Sequence, residues 1–184
     1  MKIPVAGFDP SFTNWGIAFG QLDLSTGYLD DLNLETIETA KGKAKQVRVN
    51  SDDLQRAEDL AKRAIEVARQ SKVIFVEVPV GTQSASGMKA YGVVVGILAA
   101  IRALGIPVIE VTPTEVKKVF TGDKNASKRQ MIDQAVAFYP FANFPRHRGN
   151  VAEKAEHVAD AIAAIHAGVT TPVFQNLMRL YAEV

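Results

Sequence analysis

Ile3-Pro-Val-Ala-Gly-Phe-Asp9-Pro-Ser-Phe-Thr-Asn-Trp-Gly-Ile-Ala18 is an apolar run that ends on an acid, breaks in a Pro/Ser/Thr/Asn turn and resumes as a second apolar run. Two such runs joined by a short, strongly punctuated turn read as adjacent strands, 5–8 and 15–22. Asp9 then stands at the tip of the first strand. An ionised carboxylate at the end of a buried strand is costly without a partner, so it calls for a metal, a cation or several N–H donors. The competing reading is that Asp9 only caps its own Ser/Thr turn.

Working outward, residues 28–37 space Leu29, Leu32, Leu34 and Ile37 among polar residues, which predicts a third strand and an antiparallel meander. Residues 40–50 form a basic loop, and Ser51 reads as the N-cap of a helix in which Leu54, Ala57, Leu60, Ala61, Ala64, Ile65 and Ala68 keep helical spacing to about Gln70. Val73-Ile-Phe-Val-Glu77 is a continuous apolar run of strand length that again ends in an acid just before a proline, the pattern of a buried parallel strand. An Ala/Val-rich helix over 88–104 carries Gly92 and Gly96, and 105–111 supplies a fifth strand. Thr112-Pro113 opens a short helix, Ser127 caps another to about Phe138, 139–150 reads as an irregular loop, 151–166 as a helix, and Thr171-Pro172 opens a last one. Three strands, helix, strand, helix, strand, then helices predict an α/β protein with a ribonuclease H-like mixed five-stranded sheet and helices on both faces, one domain over 1–184.

Bulk properties narrow the function. A chain of 184 residues that is 47% hydrophobic can bury one good core. The absence of cysteine excludes disulfides and zinc–thiolate sites. The apolar stretch before Asp9 is too short for a signal peptide, and the run 93–101 is broken by Arg102, so a cytoplasmic protein without a membrane partner is expected. A net charge of +1 excludes coating of nucleic acid by bulk charge. Basic residues nevertheless cluster: Lys41, Lys43, Lys45 and Arg48; Lys117, Lys118, Lys124, Lys128 and Arg129; Arg146, His147 and Arg148. On one common face they would track a phosphate backbone; scattered, they are solvated loops and helix faces.

The acids form a set. If the first strand and the strand after the first helix are neighbours, Asp9 and Glu77 come together at their ends. On the 151–166 helix, Glu153, His157 and Asp160 fall at i, i+4 and i+7 with Glu156 alongside, while Val158, Ala161, Ile162 and Ile165 are free to pack on the sheet. Oxygen donors in this number favour Mg²⁺ or Mn²⁺ over zinc. Two such ions about 4 Å apart are the usual device for in-line displacement at a phosphodiester. The alternative for His157 and Asp160 is a helix face paired to solvent or to Lys154.

The residues carry a resemblance that spans most of the chain. The stretch from Gly7 through Asp9 to Gly16 resembles the first motif of the RuvC-type Holliday-junction resolvases, and Val76-Glu77 resembles their second acid after an apolar strand. Val116-Lys117-Lys118 up to Gly122, followed by Ser127-Lys128-Arg129, is similar to the family's Lys-bearing helix and the turn and Lys after it. His157-Val-Ala-Asp160-Ala looks like the terminal Asp-x-x-Asp-Ala helix with His at the first position. The resemblance implies that Asp9, Glu77, His157 and Asp160 are the catalytic set and hold two Mg²⁺ or Mn²⁺ ions. It implies that Lys117 and Lys128 contact phosphates, with Lys118, Arg129, Lys43 and Lys45 as further DNA contacts. It also implies a homodimer, in a bacterial or phage-infected cytoplasm, that nicks four-way DNA junctions symmetrically to leave 5′-phosphate and 3′-hydroxyl ends. The chain departs from the family where an aromatic wedge is expected after the second acid: Val78-Pro79-Val80-Gly81 stands there, leaving Tyr91 or another aromatic for that task.

Other readings remain open on the sequence: another ribonuclease H-like nuclease cutting RNA–DNA hybrids or flaps, or a junction-binding protein without catalysis. The Asp-turn-Thr motif also resembles the phosphate loop of sugar kinases and actin-like ATPases, but those folds need two such domains and this chain is too short for them.

Overall fold

The computed structural model describes residues 1–42, 48–79, 81 and 83–182. Its centre is a five-stranded sheet of order β3-β2-β1-β4-β5, built from β1 (Lys2–Asp9), β2 (Asn14–Asp23), β3 (Leu29–Glu38), β4 (Val73–Glu77) and β5 (Val108–Val111). The first three strands pair antiparallel; β4 and β5 add parallel to β1. Helices α1 (Val49–Gln70) and α2 (Ala85–Ala103) cover one face. The other carries α3 (Pro113–Thr121), α4 (Lys128–Phe138), α5 (Glu156–Val169) and α6 (Pro172–Ala182). This is the mixed α/β plan that the order of elements predicts.

The two-residue period of the strands sorts the core into two layers. Ala6, Phe8, Ile17, Ile74 and Val76 join the α1/α2 layer, whereas Val5, Ala18, Val73 and Phe75 join the α5 layer. The same period directs Gly7, Asp9, Gly16 and Glu77 toward α5.

Small residues let α5 lie unusually close to the sheet. A Cβ on Gly16 would strike the carbonyl of His157, and one on Gly7 would strike the carbonyl of Ala161 and stand 2.8 Å from Ile165 Cγ1. Gly168 leaves room for the ring of Phe75, which packs on Phe174 of α6 at 5.2 Å between centroids. On α5 itself Ala159, Ala161, Ala163, Ala164 and Ala167 are all buried, so the helix meets the sheet nearly backbone to backbone.

Several boundaries differ from expectation. Helix α1 begins at Val49 with Arg48 at its N-cap, not at Ser51; the Ser51 N–H already bonds to the Arg48 carbonyl at 2.9 Å, and Asp52 is drawn away to accept the Gly42 N–H at 2.9 Å. Thr112 and Ser127 do close capping boxes with Glu115 and Gln130. Residues 139–150 are not wholly irregular: β6 (Arg146–His147) pairs with β7 (Asn150–Val151) in a small hairpin. Glu153–Ala155 is a single 3₁₀ turn, so α5 starts only at Glu156. The break read at Arg102 does not shorten α2, which runs from a Ser84 cap for 19 residues and by length and composition alone is apolar enough to span a membrane. Its Val94, Ile97, Leu98 and Ile101 are buried in the α1/α2 layer. Gly92, Gly96, Ala99 and Ala100 are exposed.

The close approach of α5 yields a test. Replacing Gly7 by Val sets a branched side chain against backbone that cannot rotate away, and overpacking costs about 1–3 kcal/mol, occasionally more. Chemical denaturation should show a loss of that order, whereas Gly92→Ala within α2, where a Cβ meets open space, should raise stability by about 0.5–1 kcal/mol.

Candidate functional site

The turn after Asp9 is closed without its help. Ser11 Oγ donates to the Asn14 carbonyl at 2.7 Å and accepts the Asn14 N–H at 3.0 Å. Arg56 stacks over the Phe12 ring at 4.0 Å and donates to the Phe12 carbonyl at 3.3 Å. The Asp9 carboxylate is therefore free to point at α5, where its Oδ2 lies 2.8 Å from His157 Nδ1. This disposes of Asp9 as the cap of its own turn.

Glu77 occupies the next position on the neighbouring strand, one residue beyond the Phe8–Val76 pair, as Asp9 is one residue beyond Phe8. Burial first, then the charge of Asp9, pushes its carboxyl up to about 7, opposed by the nearby Lys117 ammonium. Asp160, one turn along α5 from His157, is likewise pushed up to about 7 by burial, then by Asp9, Glu77 and Glu156, with His157 opposing. His157 is held above its ordinary value, chiefly by its hydrogen bond to Asp9. The structure thus brings Asp9, Glu77, His157 and Asp160 into one electrostatic unit at the ends of β1 and β4.

Glu153 is not part of that unit. It lies on the 3₁₀ turn, exposed, and Glu156 takes the place beside His157, 3.6 Å from its Nε2. The i, i+4, i+7 stripe fails because it assumed one continuous helix. Glu156 is also bound by Lys128 at 2.7 Å. Next to the acids an open groove of about 530 Å³ is lined by Asn14, Thr36, Glu38, Lys128, Glu153 and His157 among others. Lys118 is exposed on α3. Arg129 is paired with Asp133 at 2.6 Å one turn along α4. Lys43 and Lys45 lie outside the described residues. Tyr91 is half-buried in a shallow cavity with Pro10, Phe12 and Pro79, so it does not stand free as a wedge.

A half-buried histidine escaped sequence reading. His166 sits among the rings of Tyr28, Phe120, Phe138 and Tyr139, its Nε2 2.7 Å from the Tyr139 hydroxyl, and burial lowers it to about 4. It is a neutral packing group of the α5 layer; no local pattern separates it from an exposed helix histidine.

Among the described residues no three His, Asp or Glu side chains are grouped so as to hold a metal ion between them. The donor chemistry nevertheless fits a hard divalent cation. Mg²⁺ demands few protein ligands, taking one or two carboxylates and completing its shell with water and substrate phosphate. Two half-buried carboxyls, pushed up first by burial and then by neighbouring acids, are what a cation relieves. Because a carboxylate only accepts, the Asp9 contact places a proton on His157 Nδ1 and leaves Nε2 as the nitrogen able to ligate when the ring is neutral.

The same raised carboxyls make the stability of the protein depend on pH. Carboxyls that titrate near 7 in the fold and near 4 in the unfolded chain keep protons the unfolded chain has released, so stability falls as pH rises from about 4 to about 7. His157, raised by Asp9, acts in the same direction: its contribution is complete below about 6.5 and is lost as pH climbs through the raised value. In EDTA the melting temperature should drop between pH 5 and 8, and Mg²⁺ or Mn²⁺ should raise it more at pH 8 than at pH 5. Asp160→Asn should melt higher than the parent at pH 8 in EDTA; a lower melting point would show that the acids are not in conflict.

No protein-family model and no curated protein matches the chain. Among solved structures it resembles T. thermophilus RuvC in complex with a Holliday junction substrate, with a TM-score of 0.65 and 20% identity over 95% of this chain and 96% of that one. It also resembles the Thermus thermophilus RuvC structure, with a TM-score of 0.61 and 22% identity over 96% of this chain and 97% of that one. At this identity the likeness is one of fold: the chain has the ribonuclease H-like architecture seen in RuvC.

Proposed function

We propose that this protein is a Mg²⁺- or Mn²⁺-dependent endonuclease that resolves four-way DNA junctions by paired nicks, leaving 5′-phosphate and 3′-hydroxyl ends. What supports the reading is the 2.8 Å contact of Asp9 with His157 together with the charge of Asp9 acting on Glu77 and Asp160, in a fold like that of a protein solved with a Holliday junction. Neither a packing role nor a turn-capping role accounts for two carboxyls, Glu77 and Asp160, held up by burial and by the charge of Asp9 beside them.

Asp9, Glu77 and Asp160, with His157 through Nε2, are the residues that would hold the cations. Ions there supply Lewis acidity toward the scissile phosphate and its attacking water. The chain's own residues do the rest. Lys117, close enough to Glu77 to draw its carboxyl down, offers a cation on the β4 side. Lys128 offers another on the α4 side once a phosphate replaces Glu156. His157 fixes the orientation of the Asp9 carboxylate through Nδ1, and the sheet keeps both acids in register.

A four-way junction presents two equivalent strands, so the enzyme works as a two-fold dimer. The exposed Gly92, Gly96, Ala99 and Ala100 leave α2 with a flat, weakly polar face suited to a second copy of itself. Gly92→Leu should shift the protein to monomer in sedimentation and uncouple the paired nicks.

The decisive assay uses end-labelled four-way, Y-shaped, linear and RNA–DNA hybrid duplexes with and without Mg²⁺. Metal-dependent nicking confined to branched DNA supports the proposal; preference for the hybrid would indicate a different nuclease. Asp9→Asn should lower the cleavage rate by a factor of about 10²–10³, the order expected when one group that stabilises transition-state charge is removed, with junction binding retained. Because the carboxyls titrate near 7 and His157 is raised, cleavage should climb from pH 6 to 8. A profile flat over that range would remove these groups from the site.

A further inference from the structure

We infer that the β6–β7 hairpin is a second DNA-binding element, its turn residue Arg148 reading the backbone or groove of the duplex arm that leads into the acid site. This rests on the nuclease reading above and adds to it a contact that neither the acids nor Lys117 and Lys128 provide.

The hairpin's turn is built for rigidity. Arg148 has φ 49° and Gly149 φ 83°, the positive values that two-residue hairpin loops require at both central positions. Arg146 Nη1 donates to the Gly149 carbonyl at 3.2 Å, closing the turn from the side. Both legs are seated: Phe144 is buried, Val151 packs against the α5 layer, and the Ala152 N–H bonds to the Pro145 carbonyl at 2.9 Å. A ribbon too short to be stable alone is thereby held at its base and free at its tip.

Arg148 is costly where it stands. Among the described residues only Asp31 and Arg148 are non-glycine residues with positive φ, and Asp tolerates that region far better than Arg. Of the cationic side chains near the acids, Lys128 is held by Glu156, Arg129 by Asp133 and Lys154 by Glu38, while Lys117 lies near Glu77. Arg148 has no acidic partner among the described residues and is exposed with His147 and Arg146. A strained position held by an unpaired, outward guanidinium points to an external anion.

Placement limits the ligand. From 148 to 157 the chain can span at most about 30 Å, less than one turn of duplex at roughly 34 Å. A two-stranded ribbon also fits the DNA major groove. Double-stranded DNA continuous with the scissile strand is thus the polyanion within reach.

Arg148→Gly tests this without endangering the fold, because glycine suits the φ of 49°. Anisotropy of a labelled four-way junction in EDTA, over a series of salt concentrations, should show affinity falling about tenfold and the log–log salt slope reduced by about 1. Arg179→Ala, an equal loss of charge on exposed α6, should change neither. Unchanged affinity and slope in Arg148→Gly, with tight binding by the parent, would overturn the hairpin's role and leave the nuclease reading standing. Equal losses in both variants would reduce the effect to bulk charge and overturn it too. A parent protein that binds no branched DNA would sink both proposals together.

Discussion

The close seating of α5 on β1 and β2 is the constraint on which the remainder depends. Helix axes pack at 8–10 Å when side chains intervene. Here Gly7 and Gly16 remove the intervening atoms, and the helix carbonyls of His157 and Ala161 occupy that space. The reach of an Asp or His side chain is only a few ångströms, so a helix held at ordinary distance would leave Asp9 and His157 apart. With the glycines, the two meet at 2.8 Å. Packing and chemistry are therefore one decision: the residues that fill the α5 layer also set the position of its first turn relative to the strand ends.

That position stores conflict. A fold selected for stability alone would not bury Glu77 and Asp160 within range of Asp9 and Glu156, since each raises the protonation of another. Lys117 and His157 offset part of the repulsion and Lys128 neutralises Glu156 at the rim. The remaining imbalance is negative and lies at one end of the sheet. Natural proteins retain such destabilised carboxylates where function needs them, and the cost is met by an apolar core that continues without interruption from Val5 and Phe75 to Ile165 and Phe174.

Much of this was legible in the sequence because the signals are local. Apolar runs ending in Asp9 and Glu77 announce strands with acids at their tips, and Thr112 and Ser127 announce helix starts through capping boxes. What was not legible depends on contacts between distant segments. Nothing in the local pattern says that Gly7 and Gly16 face a helix 150 residues away, or that His166 lies in an aromatic cage. The Glu153 stripe failed because spacing alone cannot show that 153–155 coil as a 3₁₀ turn. The hairpin at 146–151 was hidden because its signal, Arg-Gly at the turn, lacks the Asn-Gly or Asp-Gly pair that usually marks such loops.

The near-neutral total charge takes on a different meaning once the positions are known. A formal charge of +1 suggests weak attraction to DNA, yet long-range attraction is set by how charge is distributed and not by its sum. Acids of the α1 face are paired internally, as in Arg63 with Glu35 and Glu66. Around the site the cations of Lys117 and Lys128 flank a negative centre. A polyanion approaching such a surface is drawn to the flanks and repelled from the centre unless divalent cations accompany it. On the nuclease reading proposed above, binding by the flanks and reaction at the centre would be separately controlled, which would favour a branched substrate held on several arms over a linear one.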